Sequence, residues 1–282
     1  MSQPAAAEVI NRMLYQLDDI TLNAERSGAG PPLLLLHGFT GSADEWAALI
    51  PQLAAQRELI AVDLIGHGRS SAPADPARYG MERCVADLLA LLDTLGLAQI
   101  DLLGYSLGGR VALQLAAAAP ARIARLILES ASPGLADPAE RAARVASDNA
   151  LADRIEADGL AWFVEHWAAI PLFASQAAIP TEQRAALRER RLRGCAHGYA
   201  NSLRGMGAGR QAPLWERLPT LRLPTLLISG ELDVKYVEFG QRMAALLPNA
   251  RHQSIGSAGH AAHLERPEAF AELVVGYLQT TL

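Results

Sequence analysis

Leu102-Leu103-Gly104-Tyr105-Ser106-Leu107-Gly108-Gly109-Arg110 reads as an apolar strand that turns through G-x-S-x-G into a helix. A strand reversing so sharply into a helix crowds its own backbone. Gly104 and Gly108 therefore stand where a Cβ would clash, and Ser106 is left with its oxygen facing a pocket. G-x-S-x-G alone is a common accident, so the flanks decide. Ile100 to Leu103 form a short buried strand after the helical stretch Met81 to Leu95, and Val111 to Ala119 continue as an Ala/Leu-rich helix.

Working outward, short apolar strands at Leu33 to Leu36, Leu59 to Val62, Ile123 to Leu128, Leu226 to Ser229 and around His252 to Ile255 alternate with helical stretches. Such alternation predicts an α/β fold with a mostly parallel central sheet and helices on both faces. Leu14 to Leu17 and Ile20 to Ala24 predict an antiparallel edge hairpin. The rhythm stops after Ser130 and resumes at Leu223; between them the pattern is helical, with Trp162, Phe163, Trp167, Phe173 and many arginines. The expected organisation is a core of residues 1–132 and 214–282 and a helical cap insertion of residues 133–213, roofing the carboxyl edge of the sheet where ligands of open α/β sheets bind.

Composition excludes several classes. With 282 residues, 50% apolar and 20% charged, the chain can bury a full core, so disorder is not expected. A net charge of −5 and no terminal block of Lys or Arg argue against nucleic acid as partner. Apolar runs such as Leu33 to Leu36 and Leu88 to Leu92 fall far short of the roughly 20 residues of a membrane span. Met1 to Met13 lacks a basic segment followed by an apolar one, so it reads as untargeted, and a soluble cytoplasmic protein is expected. Cys84 and Cys195 have no motif spacing, which predicts reduced, buried thiols and neither a disulfide nor a metal site. Every positive charge except Lys235 is an arginine.

An exposed serine needs a histidine to take its proton and a carboxylate to fix that histidine's tautomer. In this kind of architecture both follow the serine, acid first, each on a loop after a late strand. Asp233 stands in Ser229-Gly230-Glu231-Leu232-Asp233, directly past a strand, and His260 in Gly256-Ser257-Ala258-Gly259-His260, after the last one. The competitors are His37, His67 and His263 among seven histidines, and Glu129 and Glu231 among the acids; Asp63 reads as bracing its own loop. His37-Gly38-Phe39-Thr40-Gly41 follows a strand and leads to a helix near Trp46. The backbone N–H of Phe39, with that of Leu107, is expected to form an oxyanion hole; the plain alternative is an ordinary β-turn. Arg110 lies one helical turn past Ser106 on the same face of a buried helix. A buried guanidinium is costly without a partner, so it predicts either an anionic substrate or an internal carboxylate. Arg184, Arg188 and Arg191 share a helical face, as i, i+4, i+7 spacing dictates.

Across nearly its whole length the chain resembles the α/β-hydrolase superfamily. Within it the chain is most similar to the 2-succinyl-6-hydroxy-2,4-cyclohexadiene-1-carboxylate synthases, pyruvate-eliminating carbon-oxygen lyases of menaquinone or phylloquinone synthesis. The resemblance is carried by HGFTGSADEW (37–46), GYSLGGR (104–110), ERAARVASD (140–148), PLFASQ (171–176), RGMGAG (204–209) and GELDVK (230–235). It implies a substrate-binding set of Tyr105, Arg110, Arg144, Trp167 and Arg191, and a tricarboxylate partner, 2-succinyl-5-enolpyruvyl-6-hydroxy-3-cyclohexene-1-carboxylate. It implies no metal and no organic cofactor; the sequence leaves the oligomeric state open, a monomer included. Two other readings share the motifs: a serine hydrolase of esters or C–C bonds, and a non-catalytic ligand receptor.

Overall fold

The computed structural model describes residues 10–280; residues 1–9 of the stretch read above as untargeted lie outside them. Eight strands form one sheet: β1 (Asn11–Leu17), β2 (Ile20–Ser27), β3 (Pro32–Leu36), β4 (Glu58–Val62), β5 (Ile100–Tyr105), β6 (Ile123–Glu129), β7 (Thr225–Gly230) and β8 (Ala250–Ile255). The helices are α1 (Ile50–Leu53), α2 (Met81–Thr94), α3 (Leu107–Ala118), α4 (Pro138–Ala168), α5 (Thr181–Leu192), α6 (Ala196–Met206), α7 (Val234–Leu246), α8 (Ala262–Glu265) and α9 (Pro267–Leu278). The order across the sheet is β1-β2-β4-β3-β5-β6-β7-β8, with β1, β2 and β4 joined antiparallel and every other pair parallel.

Side-chain alternation along the strands divides the core in two. Leu34 and Leu36 of β3 point to the face covered by α2, α3 and Met243 of α7, while Leu33 and Leu35 point to the face covered by Trp46, Leu53 and the α9 residues Phe270 and Val274. All four leucines are closed to solvent, each contributing about 1.5–3 kcal/mol of apolar burial. Chain order reverses at β3, which has β4 on one side and β5 on the other. The loops leaving β3 and β5 therefore diverge over the sheet's carboxyl edge and open a crevice there.

Between β6 and β7 the chain leaves the sheet for α4, a 3₁₀ turn (Pro171–Ala178), α5 and α6. The Leu214 amide donates to the Pro133 carbonyl at 2.7 Å, drawing both ends of this excursion together. Asp137 caps α4 by accepting from the Ala139 and Glu140 amides at 2.7 and 2.9 Å, ahead of Pro138 at the first helical position. Gly159, at φ 82°, kinks the same helix. The excursion has its own small core of Ala152, Ile155, Phe163, Tyr199, Ala200 and Leu203.

Cys84 is buried, and burial pushes its thiol up to about 12. Cys195 departs from the expected burial: it is only partly buried, because it precedes α6 as its cap, its Sγ accepting the Gly198 amide at 3.4 Å. Among the described residues no helix is long and apolar enough to cross a membrane.

Candidate active site

β5 delivers Ser106 to the top of the sheet at φ 49°, ψ −105°, outside the regions an L-residue ordinarily occupies. Two bonds hold it there: the Ser106 amide donates to the Glu129 carbonyl at 2.9 Å, and the Arg110 amide donates to the Ser106 carbonyl at 3.0 Å. A Cβ on Gly104 would overlap the Gly108 carbonyl, and one on Gly108 would overlap the carbonyl oxygen of Leu36, so both positions require glycine. The second of these close approaches brings α3 against the loop after β3, where the Gly108 amide donates to the His37 carbonyl at 3.1 Å.

His260 Nε2 lies 3.0 Å from Ser106 Oγ, and His260 Nδ1 lies 2.6 Å from Asp233 Oδ2, with both partners of the second contact buried. A carboxylate can only accept, so it fixes the proton on Nδ1 and leaves the Nε2 lone pair facing the serine hydroxyl. Tyr236 packs on the imidazole with ring centroids 4.6 Å apart, and Tyr105 and Phe173 flank it at 5.5 and 5.9 Å.

Each competing group has another partner. His37 Nδ1 bonds the Gly38 carbonyl at 2.7 Å and its Nε2 accepts the Leu64 amide at 3.0 Å. His67 bonds the Ile65 carbonyl, and burial, helped by neighbouring His37, pulls it down to about 3. His263 pairs with Glu129 at 2.8 Å, and Glu231 accepts the Ser257 amide at 3.0 Å. Asp63 accepts from Arg69 in its own loop and also from Asn23 and the Ala43 amide, so it braces three segments.

Ser106, Leu107, Phe39 and His260 line one cavity of about 160 Å³ between the sheet edge and the helices inserted before β7. Tyr105, Arg110, Arg144 and Trp167 line it too. Arg110 is partly exposed, but to the cavity rather than to bulk solvent, and burial lowers its guanidinium to about 10. Its Nη1 donates to the Met206 carbonyl at 2.8 Å and to Gln211 Oε1 at 3.3 Å, and no carboxylate among the described residues lies within 4.0 Å. No carboxylate among the described residues thus contacts this arginine, and Asp148 acts on its charge only through space. Arg144 does have one, Asp148, at 2.8 Å.

Arg191 lies apart from the lining. Its guanidinium sits 5.5 Å from the Phe173 ring, nine-tenths buried, with no carboxylate among the described residues within 4.0 Å, and burial lowers its pKa. Phe173 and Trp167 stand in edge contact at 5.8 Å. Sequence reasoning did not single out the remaining lining groups Lys235, Tyr236, Phe173 and Met206. A signal existed for Lys235, the single lysine of the chain, two residues past Asp233 in the first turn of α7.

A nucleophile elbow, an acid-histidine-serine hydrogen-bond chain and a parallel sheet in this order define an α/β hydrolase, and residues 31–267 match that fold family. The chain belongs within it to the 2-succinyl-6-hydroxy-2,4-cyclohexadiene-1-carboxylate synthases. A Klebsiella pneumoniae (strain 342) enzyme of that name is 37% identical, covering 85% of this chain and 90% of its own. A Bacillus subtilis (strain 168) protein provisionally given the same name is 42% identical, covering 90% of this chain and 92% of its own. The solved structure of MenH from S. aureus superposes with a TM-score of 0.85 at 35% identity, covering 88% and 93%.

Proposed function

We propose that this enzyme eliminates pyruvate from 2-succinyl-5-enolpyruvyl-6-hydroxy-3-cyclohexene-1-carboxylate to give 2-succinyl-6-hydroxy-2,4-cyclohexadiene-1-carboxylate, in the cytoplasm, with Ser106, His260 and Asp233 as its proton-transfer system. Membership in the synthase family supplies the reaction, and one observation supports the substrate chemistry. The Arg110 guanidinium shares the Ser106 cavity with neutral hydrogen-bond partners and no carboxylate in contact among the described residues, so a carboxylate docked there relieves a buried cation.

Ser106 Oγ, with its own proton passed to His260 Nε2, removes a proton from the carbon next to the succinyl ketone. The electron pair moves toward the ketone oxygen, where the Phe39 and Leu107 amides receive the developing charge; one such donor contributes about 2.7–4 kcal/mol to the transition state. The pair then returns to form the C2–C3 double bond, the existing C3–C4 double bond shifts to C4–C5, and the C–O bond at C5 breaks. The departing enolpyruvate takes up the proton held on His260 and becomes pyruvate, while the proton taken from the substrate restores Ser106 Oγ as a hydroxyl. Arg110, Arg144 and Lys235 hold the carboxylates, and Tyr105 and Trp167 wall the ring in. Residues 133–213 act as the cap that excludes water, so no acyl-enzyme is formed and hydrolysis does not compete. Arg191 completes the anionic subsite when Phe173 turns aside; that ring lines the cavity and touches Trp167 on one side and the Arg191 guanidinium on another.

Pyruvate release from the cyclohexene substrate, measured against turnover of activated esters, tests this reading. Rapid ester hydrolysis without pyruvate would replace it by a serine hydrolase.

A further inference from the structure

His260 hangs from the turn between β8 and α8, and two buried carboxylates outside the proton path hold that turn. Glu265 accepts the Gly259 amide at Oε2 (2.7 Å) and the Ala261 amide at Oε1 (3.4 Å). One side chain therefore grips the peptide N–H groups immediately before and after the histidine. Glu129, closed to solvent, accepts both the His263 amide and the His263 ring Nδ1–H at Oε1, each at 3.0 Å, with Oε2 2.8 Å from the same ring nitrogen. Its main-chain carbonyl accepts the Ser106 amide at 2.9 Å. A single residue thus joins the serine elbow to the helical turn that follows the histidine.

Buried carboxylates are costly unless well bonded, and both of these are bonded to donors on the same short segment, Gly259 to His263. Burial depresses the His263 imidazole, yet Glu129's charge and hydrogen bond outweigh it and raise the ring above its ordinary range, so Glu129 meets a ring nitrogen as well as an amide. Asp233 bonds only to the His260 ring; it sets the tautomer and leaves the main chain free. That main chain arrives through Gly256-Ser257-Ala258-Gly259, a segment with two glycines and little intrinsic preference for one path.

We propose that Glu265 and Glu129 are positioning residues for the proton transfer, Glu265 by fixing the main chain on both sides of His260 and Glu129 by locking the Ser106 elbow to α8. The separation between His260 Nε2 and Ser106 Oγ is then set by carboxylates outside the triad. This holds whichever substrate the cavity takes, so it stands or falls independently of pyruvate elimination.

Glu265→Gln and Glu129→Gln test it. A glutamine keeps one acceptor and turns an N–H₂ toward an amide that needs an acceptor. Two readouts use the intact protein without its natural substrate: the rate at which a fluorophosphonate labels Ser106, and the low-field proton resonance of His260 Nδ1–H against Asp233. The expected result is a labelling rate reduced by at least about tenfold with the resonance displaced or broadened, since misplacement by about 1 Å costs about a hundredfold. Glu265→Asp, which keeps both acceptor oxygens on a shorter stem, is expected to recover part of the rate, and it carries the test if Glu265→Gln does not fold. Labelling within about twofold of the parent with an unmoved resonance, even alongside a lowered Tm, would overturn the proposal, because a loss of about tenfold or more is what misplacement produces.

Discussion

Asp233 Oδ2 and His260 Nδ1 stand 2.6 Å apart, both nearly closed to solvent, at the ends of loops that leave two neighbouring strands, β7 and β8. The pair aims the remaining imidazole nitrogen at Ser106. Ser106→Ala and His260→Ala are each expected to lower kcat about a thousandfold or more with little change in KM, because the members act as one unit. Steady-state pyruvate release measures both, and a variant within tenfold of the parent, far inside that loss, removes the serine from the proton path.

Arg110 separates an anion site from a neutral one. Arg110→Ala should lower kcat/KM for the tricarboxylate by about 1.5–3 kcal/mol per lost charge-assisted contact. A neutral activated ester should be turned over at the parent rate. Equal losses on both substrates would mean that the arginine serves the fold of the cavity and not the ligand's charge.

Gly108 keeps α3 against the carbonyl of Leu36. Gly108→Ala is expected to cost about 1–3 kcal/mol of stability from overpacking, read as a lower urea midpoint. Activity should fall further than stability accounts for, since the same contact sets the distance between the Phe39 and Leu107 amides. An unchanged midpoint would show that the loop yields.

His67 gives the fold an acid limit. Its imidazole is held down to about 3 in the folded chain against 6.5 when free, first by burial and then by His37. Between those values the unfolded chain takes up a proton that the folded one refuses. The contribution is therefore whole above pH 6.5 and is lost as pH falls toward about 3, with a limiting slope of about 1.4 kcal/mol per pH unit. Urea unfolding at pH 7, 5 and 4 should show that slope, and His67→Gln should flatten it.

The fold was legible where a segment's environment is uniform. Leu33 to Leu36 are buried on both faces, so that strand shows as a plain apolar run, and Ile100 to Leu103 does so apart from Asp101, which is buried against Arg125. The structure lengthens each of the strands read as apolar runs in the parallel part of the sheet by one or two residues. Glu129 ends β6 as a buried charge because His263 meets it from 134 residues away, and no local pattern records that. α3 begins at Leu107, directly after the serine as the turn-to-helix reading requires, and packing there overrides the poor helix propensity of Gly108 and Gly109. The serine, the acid and the histidine were legible because each sits at a strand end with glycine before it. The helical insertion was not: the spacing of Arg184, Arg188 and Arg191 gives a common helix face, but only the fold brings Phe173 beside both the Arg191 guanidinium and the His260 ring.

The residues of the proposed proton path come from three separate strands, β5, β7 and β8, and the histidine is contributed by the last of them in chain order, which forms one edge of the sheet. A polypeptide folded only through β7 would own the elbow and Arg110 and still have no base. On the proposed reading the proton path closes only when β8 docks at the sheet's edge.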